Sequence, residues 1–183
     1  MINVGFIINY RLNGWLGVSN YYRNFFKILK SLKNSEINPI IISDKHITKE
    51  DRKFFKGIEV LQTDLIDRKS RLKKIANNIL INLFGKNIFF DNFLKKNSIN
   101  ILSHTNYLGK NSKIFSLKWF PDFQEIHLPE LFSSKQLMAR SYDIKMSEKH
   151  ATNIIVSSKS VQRDLKKIDK KAYKKSLILN MWM

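Results

Sequence analysis

The segment from Trp119 to Phe132 carries the densest chemistry in this chain. Trp119-Phe120-Pro121-Asp122-Phe123-Gln124 runs into His127-Leu128-Pro129-Glu130-Leu131-Phe132. Asp122 can bind a hydroxyl group or merely cap the next turn, Glu130 can serve the dipole of the helix that begins near Ser133, and Gln124 can both accept and donate. A positioned carboxylate or imidazole can also move a proton. A loop that merely connects two elements is small and polar, whereas this one holds large aromatics and two prolines. It follows the apolar run Ile114-Phe115-Ser116-Leu117, which reads as a strand. In open α/β sheets, ligands bind just beyond the carboxyl ends of such strands.

Three other places could contribute. Asn13-Gly14-Trp15-Leu16-Gly17-Val18 joins a strand pattern to a helix pattern. Gly14 and Gly17 there would let backbone N–H groups approach a phosphate at the helix start. A plain tight turn explains the same residues, because the spacing departs from the dinucleotide fingerprint. Ser103-His104-Thr105-Asn106-Tyr107 follows another apolar run. His104 and Asn106 suit a polyhydroxylated ligand, although a lone His in this position is often only a structural donor. Ser157 and Ser158, with Asp164 beyond them, suit helix capping. No G-x-S-x-G elbow supports a Ser-His-Asp hydrolase.

The 183 residues contain no Cys, and the four histidines (46, 104, 127 and 150) show no ligand spacing. Neither a metal nor a cofactor is expected. Hydrophobic residues make up 43% of the chain, which excludes a disordered protein. No apolar run is long enough to span a bilayer, and Met1 to Ile8 reads as a strand rather than a leader. A cytoplasmic location is the economical reading.

The net charge is +18, from 26 Lys and 7 Arg against 15 acidic residues. Lys, Asn and Ile supply 68 of the 183 residues, as AT-rich coding alone would produce. Arginine would be favoured for bidentate phosphate recognition, so nucleic acid is an unlikely partner. An anionic membrane face is the better candidate.

Elements of two periods alternate. Strands are expected at Asn3–Asn9, Ile37–Ser43, Ile58–Leu61, Ile99–Ser103, Ile114–Trp119 and Thr152–Val156, with a last apolar run at Ser176–Met181. Helices are expected at Val18–Leu32, from Thr48, at Asp67–Phe84, around Phe89–Leu94, at Ser133–His150 and at Ser158–Leu165. In Asp67–Phe84, Leu72, Ile75, Ile79, Leu80 and Leu83 share one side. The pattern predicts an α/β, Rossmann-like, doubly wound and mostly parallel sheet of six or seven strands. Gly14, Gly17, His104 and Asp122 would then gather at one sheet edge.

These residues resemble the N-terminal half of GT-B glycosyltransferases of group 1, the family 4-like sugar transferases. The resemblance covers roughly residues 2 to 166 and is specific around 119–132. Its marks are Trp119 to Gln124, Leu128 to Phe132, Arg140, the Ser157-Ser158 pair, Asp164, the Gly14/Gly17 loop and Tyr21-Tyr22-Arg23-Asn24. Glu125 departs from the His that often follows the Gln. The resemblance implies transfer of a sugar from a nucleotide sugar to a glycan or lipid-linked acceptor. Asp122 and His104 would be the catalytic candidates, better suited to positioning the acceptor than to acting as a base. Gly14 and Gly17 would face the phosphates, while Trp119, Gln124, His127 and Asn106 would contact substrate.

Residues 1–183 are then expected to be a single acceptor-side domain without the donor-binding domain. Such a chain is a gene fragment or one subunit of a split transferase, inactive alone and needing a second domain or subunit to hold the donor. The face near Gly14, Trp15 and Trp119 would be exposed and apolar. The basic stretch Arg68 to Lys74 allows a peripheral position at the inner face of the membrane. A non-catalytic binding or regulatory module at an anionic membrane surface is the competing reading.

Overall fold

The computed structural model of the chain describes residues 1–8, 16–32, 36–66, 71–104 and 107–180. Seven strands form one sheet: β1 (Ile2–Ile7), β2 (Ile37–Ser43), β3 (Glu59–Gln62), β4 (Ile101–Ser103), β5 (Phe115–Phe120), β6 (Asn153–Val156) and β7 (Ser176–Ile178). Their order is β3-β2-β1-β4-β5-β6-β7, and every neighbouring pair is parallel. The chain moves outward from β1 to β3, then returns to the other side of β1 with β4. That reversal is a topological switch point, beyond whose carboxyl edge ligands bind in open sheets.

The strands form where β-branched residues run together and can be covered on both faces. Ile40, Ile41 and Ile42 of β2 are fully buried, with Ile41 facing one layer and Ile40 and Ile42 the other. Pro39 lies opposite Val4 of β1, while the ladder to β3 starts only at Ile40. The proline therefore stands outside the β3 ladder, where its missing N–H removes nothing.

Helices cover both faces. On one, α1 (Leu16–Ser31) and α2 (Lys49–Phe54) enclose Val4, Phe6, Tyr22, Phe26, Ile41 and Phe55. On the other, α4 (Ile88–Lys96) brings Phe90 and Leu94 against Ile7, Ile42 and Leu102. A third cluster joins Ile154 and Val156 to α6 (Ser134–His150), α7 (Lys159–Ile168) and α8 (Lys170–Lys174). The expected α/β doubly wound sheet is the fold observed.

Side-chain caps fix the helix starts. Ser133 and Gln136 form a capping box at α6, Asn87 accepts from the Phe90 N–H at α4, and Ser158 accepts from the Val161 N–H at α7. Asp169 caps α8, a short helix that the periodicity did not separate from its surroundings. The expected helix at Asp67–Phe84 is α3 (Arg71–Phe84), preceded by a 3-10 turn at Asp64–Ile66. Periodicity gives this helix one apolar side without saying what it meets. Ile75, Ile79 and Leu83 are exposed, and Ile81 is the buried one among its described apolar side chains. The sheet face nearby is already filled by α4, and Ile75, Ile79 and Leu83 of the stripe are left to solvent, with Leu80 partly buried.

Candidate functional site

The switch point is walled by aromatic rings around His104. Ser103 ends β4, and His104 turns the chain with φ +60°. That is the left-handed region, sterically costly for a residue with a side chain. The imidazole is buried, with Phe6, Tyr21, Tyr22, Phe25 and Trp119 around it at ring-centroid distances of 4.9–6.2 Å. Nε2 shares a 2.6 Å hydrogen bond with the Tyr21 hydroxyl, and Nδ1 a 2.8 Å bond with Ser103 Oγ. Burial pushes the His104 pKa down to about 3 and holds the Tyr21 hydroxyl above its ordinary range. The ring is therefore neutral at physiological pH, and both nitrogens have internal partners.

Trp119, on β5, completes the wall. Its ring stacks on Tyr21 at 4.6 Å and 18° and is half-buried, while Gly14 and Trp15, the other residues of the expected apolar face, lie outside the described residues. The indole Nε1–H is buried with no acceptor among the described residues. A buried indole N–H normally finds a partner. Among the described residues, this wall thus holds one donor without an acceptor.

Beyond β5 the segment folds tightly. Asp122 is partly exposed, and its Oδ1 accepts a long 3.5 Å bond from the Gln124 N–H at the start of α5 (Gln124–His127). A 3-10 turn follows at Pro129–Leu131. Ser157, after β6, donates to the Pro121 carbonyl at 2.5 Å and ties the loop down. Gln124 is exposed.

His127 donates from Nε2 to Asp164 Oδ2 at 2.8 Å, and Lys167 Nζ lies 3.2 Å from the other oxygen. Asp164 is buried on α7, whereas the His127 side chain is 58% exposed. The hydrogen bond from His127 holds the Asp164 carboxyl below its ordinary pKa, with Lys167 adding and burial opposing. A carboxylate behind an exposed imidazole fixes its tautomer and leaves Nδ1 as an acceptor. Periodicity had suggested capping around Ser157 and Ser158 and gave no sign that Asp164 reaches His127.

The sheet brings several of the expected residues to one edge. Gly17 follows β1, His104 follows β4, and Trp119, Asp122, Gln124 and His127 end or follow β5. Gly17 lies in the first turn of α1, exposed, where an added Cβ would meet nothing within 4 Å. Gly14 and Asn106 lie outside the described residues. Tyr21 and Asp164 were missed as partners, since each meets its histidine only through the fold. Glu125, the departure from the family pattern, accepts from Arg140 at 2.8 Å, and the Arg140 guanidinium lies 4.8 Å from the Phe132 ring. Among the described residues, no group of three or more His, Asp or Glu is placed to hold a metal ion.

No protein-family profile matches the chain, and no curated protein matches it significantly. Solved structures match by shape. HepE of Anabaena, in complex with UDP and glucose, aligns with 98% of this chain and 44% of its own, at TM-score 0.53 and 9% identity. UDP-N-acetylglucosamine 2-epimerase aligns with 97% of this chain and 47% of its own, at TM-score 0.58 and 14% identity. The fold is one Rossmann-like half of the GT-B architecture. The chain spans less than half the length of either neighbour.

Proposed function

We propose that this chain is the acceptor-binding half of a glycosyltransferase, moving a sugar from a nucleotide sugar to a glycan or lipid-linked acceptor. The observation that carries this reading is the placement of Trp119, Asp122 and His127 at or just beyond the carboxyl end of β5, one strand from the switch point of a GT-B half. The printed ligands of one neighbour, UDP and glucose, supply the nucleotide-sugar class.

Each residue then has a role that its surroundings suit. Asp122, Gln124 and Nδ1 of His127 meet acceptor hydroxyls, and Asp164 orients His127. His104 is a positioning residue that fixes the Tyr21 hydroxyl and the Trp119 ring. Gly17 admits the donor phosphates to the start of α1. The donor itself is held by a second domain or subunit. Leu128, Leu131 and Met138, exposed beside the same edge, suit an acceptor with a lipid tail. The exposed Ile75, Ile79 and Leu83 of α3, with the lysine excess, suit a peripheral position at the inner face of the membrane.

One observation favours the non-catalytic module instead: His104 is enclosed and offers no free nitrogen. An assay separates the two readings. The purified chain is incubated with nucleotide sugars and lipid or polysaccharide acceptors, with and without a donor-binding GT-B half from a neighbouring gene. No turnover alone and transfer on mixing is expected, because positioning across a closed cleft supplies much of the rate. Turnover by the chain alone overturns the need for a partner, and acceptor binding without transfer in the mixture supports the module.

A further inference from the structure

The opposite edge of the sheet holds a second built feature. A half-open pocket of about 320 Å³ lies where β5, β6 and β7 begin, bordered by Lys110, Lys113, Lys149, Lys175 and His150. We propose that it binds a phosphate-bearing anion.

Four of the eleven lining residues are lysines and none is acidic. The chain as a whole has 26 lysines in 183 residues, so the clustering exceeds the compositional bias. Lys175 is already used: its Nζ donates to the Glu148 carbonyl and, at 3.0 Å, to the Ala151 carbonyl, which offsets the negative end of α6. Lys110, Lys113 and Lys149 are exposed and make no ion pair among the described residues. Behind them His150 is 2% exposed, and neither ring nitrogen has a partner among the described residues. A neutral imidazole has one donor and one acceptor to satisfy, and leaving both unmet in a buried place calls for a ligand or water.

The groups facing His150 are Lys149 from its own helix, Lys110 from the preceding loop, Lys175 from the segment before β7, and the Tyr107 ring at 5.8 Å. Burial and those three ammonium groups hold the imidazole below its ordinary pKa. An anion among the lysines would cancel their repulsion and let the ring take a proton. The loop that carries Lys110 and Lys113 is held in place. Gly109 N–H donates to the His150 carbonyl at 3.2 Å, and Asn111 N–H to the Gly85 carbonyl at 2.9 Å. At Gly109 (φ +107°) an added Cβ would lie 2.1 Å from the Gly85 oxygen, so only glycine fits. The lysines are thus presented by a fixed turn.

Free phosphate compounds and phospholipid headgroups share this chemistry, and the exposed Phe115 at the rim would meet acyl chains in the second case. The test is NMR of the full chain, reading the His150 imidazole during titration with inorganic phosphate and pyrophosphate. A parallel arm sediments the chain with phosphatidylcholine vesicles with or without phosphatidylglycerol. A saturable His150 response with an upward shift of its titration midpoint is expected. The variant K110Q/K113Q/K149Q should weaken binding by roughly tenfold or more. K27Q/K49Q/K53Q, with equal charge removed from α1 and α2, should leave it unchanged. Variant-sensitive binding to the anionic vesicles, with little response to free phosphate, assigns the headgroup; the reverse assigns a free phosphate. No saturable His150 response to phosphate or pyrophosphate together with no variant-sensitive binding to the anionic vesicles, or equal losses in both triple variants, would overturn the site.

Discussion

His104 and His127 follow adjacent strands at the same edge of the sheet, and the fold treats them in opposite ways. His104 is closed inside five aromatic rings, bonded at both nitrogens and held neutral by burial. His127 stands with most of its ring in solvent, its back nitrogen fixed by the buried Asp164. The first arrangement spends its hydrogen bonds on internal order. The second leaves a polarised, oriented nitrogen for something outside. Residue type alone therefore says little about the role of a histidine at a strand end; the neighbours brought by other loops decide it.

The largest expected effect falls on His104. His104→Ala removes a buried ring and should destabilise the fold by about 3 kcal/mol, measured by urea unfolding. His104→Asn tolerates the left-handed backbone better, so a smaller loss there separates backbone strain from ring packing. Equal losses would show that the packed ring carries the whole effect.

The pH dependence follows from the same burial. The folded His104 pKa, about 3, lies below the ordinary 6.5 of the unfolded chain. The unfolded state therefore takes up the proton first. Stability is fully present above pH 6.5 and falls as pH drops toward 3, by about 1.4 kcal/mol per unit. Between pH 6.5 and 4.5 His104→Asn should remove roughly 2–3 kcal/mol of that decline. His150, also shifted down, contributes in the same direction in both proteins. An unchanged slope in the variant would mean that His104 is accessible to protons when folded.

His127→Ala should do the reverse of His104→Ala. Its exposed ring adds less to stability than the His104 ring, about 1.5 kcal/mol for the hydrogen bond it gives the buried Asp164 carboxylate, which Lys167 still partners. Acceptor affinity or transfer in the reconstituted enzyme should fall by roughly 10- to 100-fold. Asp164→Asn should give a smaller loss of the same kind, near tenfold, because the ring remains but loses its orienting charge. If Asp164→Asn leaves acceptor binding intact while lowering stability, the pair is only a structural tie. The smallest effect expected is that of Tyr21→Phe, about 1 kcal/mol of stability for one hydrogen bond to His104.

Much of this architecture was legible from residue patterns. The run Ile37–Ser43 is β2 residue for residue, and Ser133, where the expected helix begins, is the residue that caps α6. Local chemistry of that kind is written in consecutive residues. The alternation of elements likewise gave the parallel sheet, because both faces of a strand such as Ile40–Ile42 must be covered. The exposed stripe of α3 was not legible, since periodicity gives a helix one apolar side without saying that α4 already fills the sheet face. The His127–Asp164 pair was hidden for a similar reason. Its members lie 37 residues apart and meet only because β5 and β6 are neighbours. Nor does the sequence show His104 at φ +60°, for nothing local demands it; the enclosing rings from α1 and β5 hold it there.

The most direct test is a calorimetric titration of the isolated chain with acceptor and with nucleotide sugar separately. Saturable binding of a glycan or lipid-linked acceptor is expected, lost in a Trp119→Ala, His127→Ala double variant that still unfolds cooperatively. Nucleotide sugar should bind far more weakly to the chain alone. Tight nucleotide-sugar binding with no acceptor binding would contradict the assignment of this chain as the acceptor half.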